Sequence, residues 1–201
     1  MFCGHAGRAA GVAEKAVEAC RRHDPEQEEF CRRLGAAGVI NRLDYSHWGV
    51  APPWTDAAGQ SSWTRQARKF GSAIWDIVGS RRNPTIVFEH PGQDTLATSL
   101  FVCSRGGMVV ICAGTTGYSP VMDLRHLWVS QKRVQGSHGT NDGQANAYND
   151  LVRAGRIDPC LGEVLKFDQI PQAHYDMGEG RHARGNAVAL VGASSPGLGR
   201  G

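Results

Sequence analysis

No two of the six cysteines, at positions 3, 20, 31, 103, 112 and 160, have CxxC spacing, so structural zinc is not expected. The eight histidines form no HExxH or HxxxH cluster, which removes the usual helical metal site. GxSxG is absent, which weakens a serine hydrolase reading. No apolar run is long enough to span a bilayer, and the first residues carry no apolar leader segment. A cytoplasmic chain with reduced thiols is therefore expected. Lys and Arg exceed Asp and Glu by only 22 to 19 and form no block, so neither nucleic acid nor a membrane surface is expected as a partner.

What is present is enough for one domain with a sizeable core: 201 residues, 41% of them hydrophobic. Residues 85–138 organise the rest. A buried-strand run, Thr85-Ile86-Val87-Phe88, leads into the polar elbow Glu89-His90-Pro91-Gly92. An amphipathic helix over 94–104 stops at Gly106-Gly107, and a second apolar strand, 108–113, opens into Gly114-Thr115-Thr116-Gly117-Tyr118. Apolar runs bounded by Gly and Pro, alternating with helical periodicity, read as a βαβ unit of a parallel sheet. Ligands of such sheets sit beyond the carboxyl ends of the strands. The elbow and the Gly114 turn both follow strand ends, so they are expected side by side on one rim.

The remainder repeats the alternation, hence an α/β class. Residues 11–22 carry Ala, Glu and Lys and read as a helix. Gly4, Gly7 and Gly11 do not have GxGxxG spacing and follow no strand, so a phosphate loop is not read there. Residues 26–34 form a helix with acids first and Arg32-Arg33 last, ended by Gly35. Residues 38–42 form a short strand. Residues 43–62 form a long irregular loop with Trp48 and Trp54, and 63–78 an amphipathic helix. Helices follow over 123–131, with Asp123 as N-cap, 142–154 and 172–177. Strands follow over 133–137, 163–167 and 186–191, the last of them buried. The tail 194–201 is rich in Gly, Ser and Pro and reads as frayed.

Few residues carry chemistry. Glu89 and His90 form an acid/base couple, or an elbow whose side chains bond nearby backbone. His138 also ends a strand and, as a neutral imidazole, either polarises a ligand or water or bonds backbone. Arg42 just past a strand either holds a ribose 2′-phosphate, favouring NADP over NAD, or is a solvated loop residue. Asp123 either caps its helix or pairs with Arg125.

EHPGQDT, GGMVVICAGTTGY, LRHLWVSQKRVQGSH, GRIDPCLGEVLKFDQIPQAH and GNAVALVGA, in that order, resemble the C-terminal part of crotonyl-CoA carboxylase/reductases. These are members of the medium-chain dehydrogenase/reductase superfamily, of zinc-binding-dehydrogenase type, with no zinc expected here. The resemblance covers residues 28–193. It implies a partial Rossmann-like, doubly wound parallel sheet with flanking helices over 26–193, between an atypical segment 1–25 and the tail 194–201. It also implies NADPH as cofactor. Hydride passes from NADPH to C3 of an enoyl-CoA such as crotonyl-CoA, and the resulting enolate attacks CO2 to give an alkylmalonyl-CoA such as ethylmalonyl-CoA. Without CO2, a proton is added instead. Carried over, Phe88, Glu89, His90 and Pro91 line the nicotinamide together with Cys112, Ala113, Gly114 and Thr115. Arg42 lies near the adenosine phosphate, His138 helps hold CO2 through a water, and Arg105 faces the acyl-CoA or a neighbouring subunit. Homo-oligomers are implied too.

Two departures stand out. The GroES-like catalytic domain and the first strands with their Gly-rich turn have no counterpart in the sequence, and Gly139-Thr140 replaces the Phe-Ala of many relatives. A fragment of such an enzyme, with little or no activity alone, is therefore expected. A non-catalytic binding or oligomerisation module, or another medium-chain reductase acting on quinones or enoyl substrates, remains open.

Overall fold

The structure, a computed structural model, describes residues 2–3, 16–20, 25–183 and 185–193. The chain divides into two compact units, Met1–Gly139 and Thr140–Gly201.

The first unit is built on a six-stranded sheet. Its strands are β1 (Phe2–Cys3), β2 (Ala16–Cys20), β3 (Ala36–Asn41), β4 (Ile86–Glu89), β5 (Met108–Ile111) and β6 (Arg133–Gly136). They lie in the order β3-β2-β1-β4-β5-β6. That is the order of a doubly wound dinucleotide-binding sheet. β2 and β3 are parallel, as are β4, β5 and β6. The centre differs from the usual pattern: β1 is two residues long and antiparallel to both β2 and β4.

Helix α1 (Pro25–Arg33) joins β2 to β3, and α2 (Ala57–Val78) crosses from β3 to β4. Helices α3 (Leu96–Val102) and α4 (Arg125–Trp128) follow β4 and β5. α2 starts at Ala57 rather than at 63, because Asp56 accepts the Gly59 backbone N–H at 2.9 Å and caps the first turn. It ends at Gly79, whose φ of 71° needs a residue without Cβ. Trp63, Ala67, Phe70, Gly71 and Ile74 recur at helical spacing and form its buried stripe. At Gly38 of β3 a Cβ would stand 2.7 Å from Ile77, so α2 lies directly on that strand.

The core lies between this helical layer and one sheet face. Cys3 pairs with both Val17 and Val87, and Val87 pairs with Val109, so the three valines fall in one row. All three are buried, against a cluster that includes Phe70, Ile74, Leu96 and Leu100.

Residues 16–20 correct the sequence reading, which placed them in a helix. Ala and Glu favour a helix locally, but β3 offers a parallel partner over the whole segment. Val17 and Ala19 alternate inward at 2% and 3% exposure, the period of a strand. The glycines at positions 4, 7 and 11 lie outside the described residues.

The second unit holds helix α5 (Asp142–Arg153), strand β7 (Leu161–Lys166), helix α6 (Ile170–Gly178) and strand β8 (Asn186–Leu190). Asn141 and Gln144 cap α5 reciprocally, each side chain bonding the other's backbone N–H. β7 and β8 pair in parallel as a sheet of their own. β8 is exposed over Asn186–Val188, which corrects the expectation of a buried strand. Apolar composition alone did not show which strands would find a cover.

Candidate functional site

The carboxyl ends of the parallel strands define the rim where the candidate residues meet. Glu89, Ile111 and Gly136 are level in the register. The ladder continues one step beyond them: the Cys112 N–H donates to the Glu89 carbonyl at 3.1 Å, and the Ser137 N–H to the Ile111 carbonyl at 2.8 Å. His90, Cys112 and Ser137 are thus neighbours across three strands, with Pro91, Ala113 and His138 one residue further on.

The elbow and the Gly114 turn are locked together. The Thr116 N–H donates to the Pro91 carbonyl at 2.9 Å, and the Gln93 N–H to the Gly117 carbonyl at 3.2 Å. The Thr116 hydroxyl donates to the Pro91 carbonyl at 2.9 Å and accepts the Asp94 N–H at 3.1 Å. The two turns share one border of the sheet, as the sequence pattern predicts.

Glu89 is fully buried, and it holds the elbow from beneath. Its carboxylate accepts the Gly92 N–H at 3.0 Å and the hydroxyls of Thr95 and Ser99. Three donors satisfy a buried polar group that would otherwise carry a desolvation penalty. Of the two readings of Glu89-His90, this geometry makes the Glu89 side chain a buttress turned towards α3. His90 is exposed on the rim beside it.

Phe88 is 39% exposed, and Thr115 and His138 are exposed. Pro91 is buried, while Cys112, Ala113 and Gly114 are half-buried. Arg42 follows β3 on the same rim but three strand positions from β4, roughly 14 Å at the usual strand spacing. Its guanidinium lies 4.7 Å from the Trp48 ring centroid, and its carbonyl accepts the Trp48 indole N–H at 2.7 Å. The structure therefore gathers residues 88–91, 112–115 and 138, and sets Arg42 apart from them. Arg105 is exposed beyond α3, before β5 begins, and so lies towards the amino ends of the strands. Asp123 forms the ion pair with Arg125, at 2.5 Å, and also accepts its backbone N–H. That hydrogen-bonded pairing pulls the Asp123 carboxyl down to about 2.

Thr95, Ser99 and Thr116 escaped the sequence reading although they fix the corner. The signal was there: Thr95 and Ser99 are polar and four residues apart, so they fall on one face of a mostly apolar helix.

Residues 9–154 match the zinc-binding dehydrogenase family, and the chain belongs to it. Within that class its relatives are specific. It is 47% identical over 175 residues to a crotonyl-CoA carboxylase/reductase of Cereibacter sphaeroides, covering 87% of this chain and 40% of the relative. It is 34% identical over 188 residues to a crotonyl-CoA reductase of Streptomyces collinus, covering 94% and 40%. Among solved structures, crotonyl-CoA carboxylase/reductase AntE in complex with NADP superposes with a TM-score of 0.84 at 44% identity, covering 89% of this chain and 44% of that one. The 2-octenoyl-CoA carboxylase reductase CinF, in complex with NADP and 2-octenoyl-CoA, gives 0.74 at 31%, covering 91% and 39%. The chain spans about two fifths of the length of the curated relatives it matches. Despite the family's name, no group of three or more His, Cys, Asp or Glu among the described residues is placed to hold a metal. No helix among them is long and apolar enough to cross a membrane.

Proposed function

We propose that this chain is the dinucleotide-binding part of an NADPH-dependent enoyl-CoA carboxylase/reductase. The juxtaposed elbow and Gly114 turn support this reading most directly. When bound, NADPH would supply a hydride to C3 of the enoyl-CoA. The site's own residues fit the nicotinamide end. Phe88 and His90 offer exposed ring surface, and the turn 112–115 offers half-buried backbone beside them. Glu89 keeps that floor rigid through its three donors. Arg42 supplies a cation for the 2′-phosphate, held in place by Trp48.

His138 follows Ser137, whose N–H continues the ladder onto Ile111, one strand from the nicotinamide shelf. Its role in this reading is to hold a water against CO2 while the enolate carbon attacks. The enoyl-CoA, CO2 and further copies of the chain are the partners it requires.

Held by itself, the 201-residue chain is expected to bind NADPH weakly and turn over little crotonyl-CoA. A pyrophosphate is normally cradled by a Gly-rich turn at a helix N-terminus. The described residues supply the shelf but not that cradle. The test is titration with NADPH followed by crotonyl-CoA with bicarbonate, reading NADPH oxidation. Binding weakened by Thr115→Trp would support the shelf. Turnover like that of a full-length relative would refute the incomplete-site reading, and binding unaffected by changes at residues 88–91 and 112–115 would refute the site itself.

A further inference from the structure

The loop between β3 and α2 and the first turns of α2 border an open pocket, of which the reductase reading uses only Trp48. Its volume is about 240 Å³, and His47, Trp48, Val50, Pro52, Trp63 and Gln66 line it. His47 and Trp63 are each only 6% exposed. Both ring nitrogens of His47, the indole nitrogen of Trp63 and the amide oxygen of Gln66 are buried without a hydrogen-bond partner. Buried polar atoms in native proteins almost always have one, and each orphan carries a desolvation penalty. Four orphans from three residues around one cavity point to a ligand rather than to chance.

The walls specify its chemistry. The His47 and Trp48 rings are tilted by 31° to each other with centroids 4.4 Å apart, and Trp63 stands edge-on to His47. Such walls suit a flat group. An ion entering would lose its hydration with no charged side chain in the lining to replace it, since Arg42 acts on His47 only from outside the lining. Burial first, and then the charge of Arg42, keeps His47 neutral at ordinary pH, with one donor and one acceptor. The indole adds a donor and the Gln66 carbonyl an acceptor. The space falls below that of drug-sized sites and holds a single ring.

We propose that His47, Trp63 and Gln66 form a binding site for a small, planar, uncharged molecule bearing an amide-like donor–acceptor edge. The walling loop is tied to the elbow by the Gly49 N–H to the Asp94 carbonyl at 3.0 Å, yet the site stands independently of the reductase reading.

The probe is benzamide, with benzoate and benzylamine as charged isosteres. The readout is the indole N–H spectrum of the full chain, in which Trp63→Phe identifies the Trp63 signal among the five tryptophans. Benzamide should shift the Trp63 signal saturably in the millimolar range, with the charged isosteres at least tenfold weaker, about one charge-desolvation difference. His47→Leu and Gln66→Leu should each weaken benzamide about tenfold, the worth of one hydrogen bond. Gln66 is only half-buried, so its variant retains a readable fold if the His47 variant does not. No saturable shift, meaning solvent alone occupies the cavity, would overturn the proposal. So would tighter benzoate, or shifts that survive both substitutions.

Discussion

Gly92 and Gly114 meet backbone to backbone: a Cβ on Gly92 would stand 2.9 Å from the Gly114 Cα. It would also stand 3.0 Å from the Gly117 carbonyl. The two turns of the rim can approach this closely only because Gly92 carries no side chain.

Gly92→Ala should therefore separate the turns. Its φ of 88° adds strain that an L side chain rarely tolerates, and both neighbouring groups are backbone. A loss of about 2 kcal/mol or more is expected, from backbone strain together with overpacking. All five tryptophans lie in the first unit, so urea unfolding followed by their fluorescence reads it directly.

Glu89→Ala leaves the Gly92 N–H and the Thr95 and Ser99 hydroxyls without their acceptor in a buried place. A cost of about 3 kcal/mol or more is expected, since each buried unpaired donor costs about 1–3 kcal/mol. Glu89→Gln keeps the shape and one acceptor oxygen, so it should cost less than Glu89→Ala. If the two variants unfold at the same urea concentration, the carboxylate does not hold the elbow.

His47 makes stability fall with acid. Its folded pKa is lowered to about 4, against 6.5 for the free side chain. The unfolded chain therefore binds the extra proton first. The His47 contribution is complete above about pH 6.5 and is lost as pH falls towards 4, by on the order of 3 kcal/mol in all. Burial lowers His126 as well and acts in the same direction. His47→Leu should flatten the urea midpoint between pH 6.5 and pH 4 relative to the parent chain. An equal slope in both proteins would rule out His47 as its source.

Phe70→Ala empties the centre of the core. Phe70 is fully buried and contacts Tyr45 and Trp48 edge-on, with centroids 5.4 and 5.3 Å away. A loss of about 3–5 kcal/mol is expected. The aromatic cluster should loosen with it, so the near-ultraviolet dichroism of the first unit should collapse. A variant that keeps both the parent spectrum and the parent stability would show that the α2 stripe is not the core contact described.

Some of this was legible in the residues themselves. The apolar runs at 86–88 and 108–111 read as buried parallel strands because both of their faces are short of polar side chains. The glycines at 92, 114 and 117 mark turns at the ends of those strands. The strand–helix alternation places both turns on one rim before any coordinate is known. The EHPG and CAGTTGY motifs carried the likeness to crotonyl-CoA carboxylase/reductases for the same reason.

Tertiary structure decided the rest, because the deciding partners are distant in sequence. Residues 16–20 became a strand only when β3 lay alongside, a pairing that outweighs the helix propensity of Ala and Glu. Glu89 turned from candidate base to buttress once α3 brought Thr95 and Ser99 beneath it. His47 sits in a loop whose composition says nothing of burial, and α2 closes over it. Local propensity is written residue by residue, but burial and hydrogen-bond partnership exist only after separate segments have met.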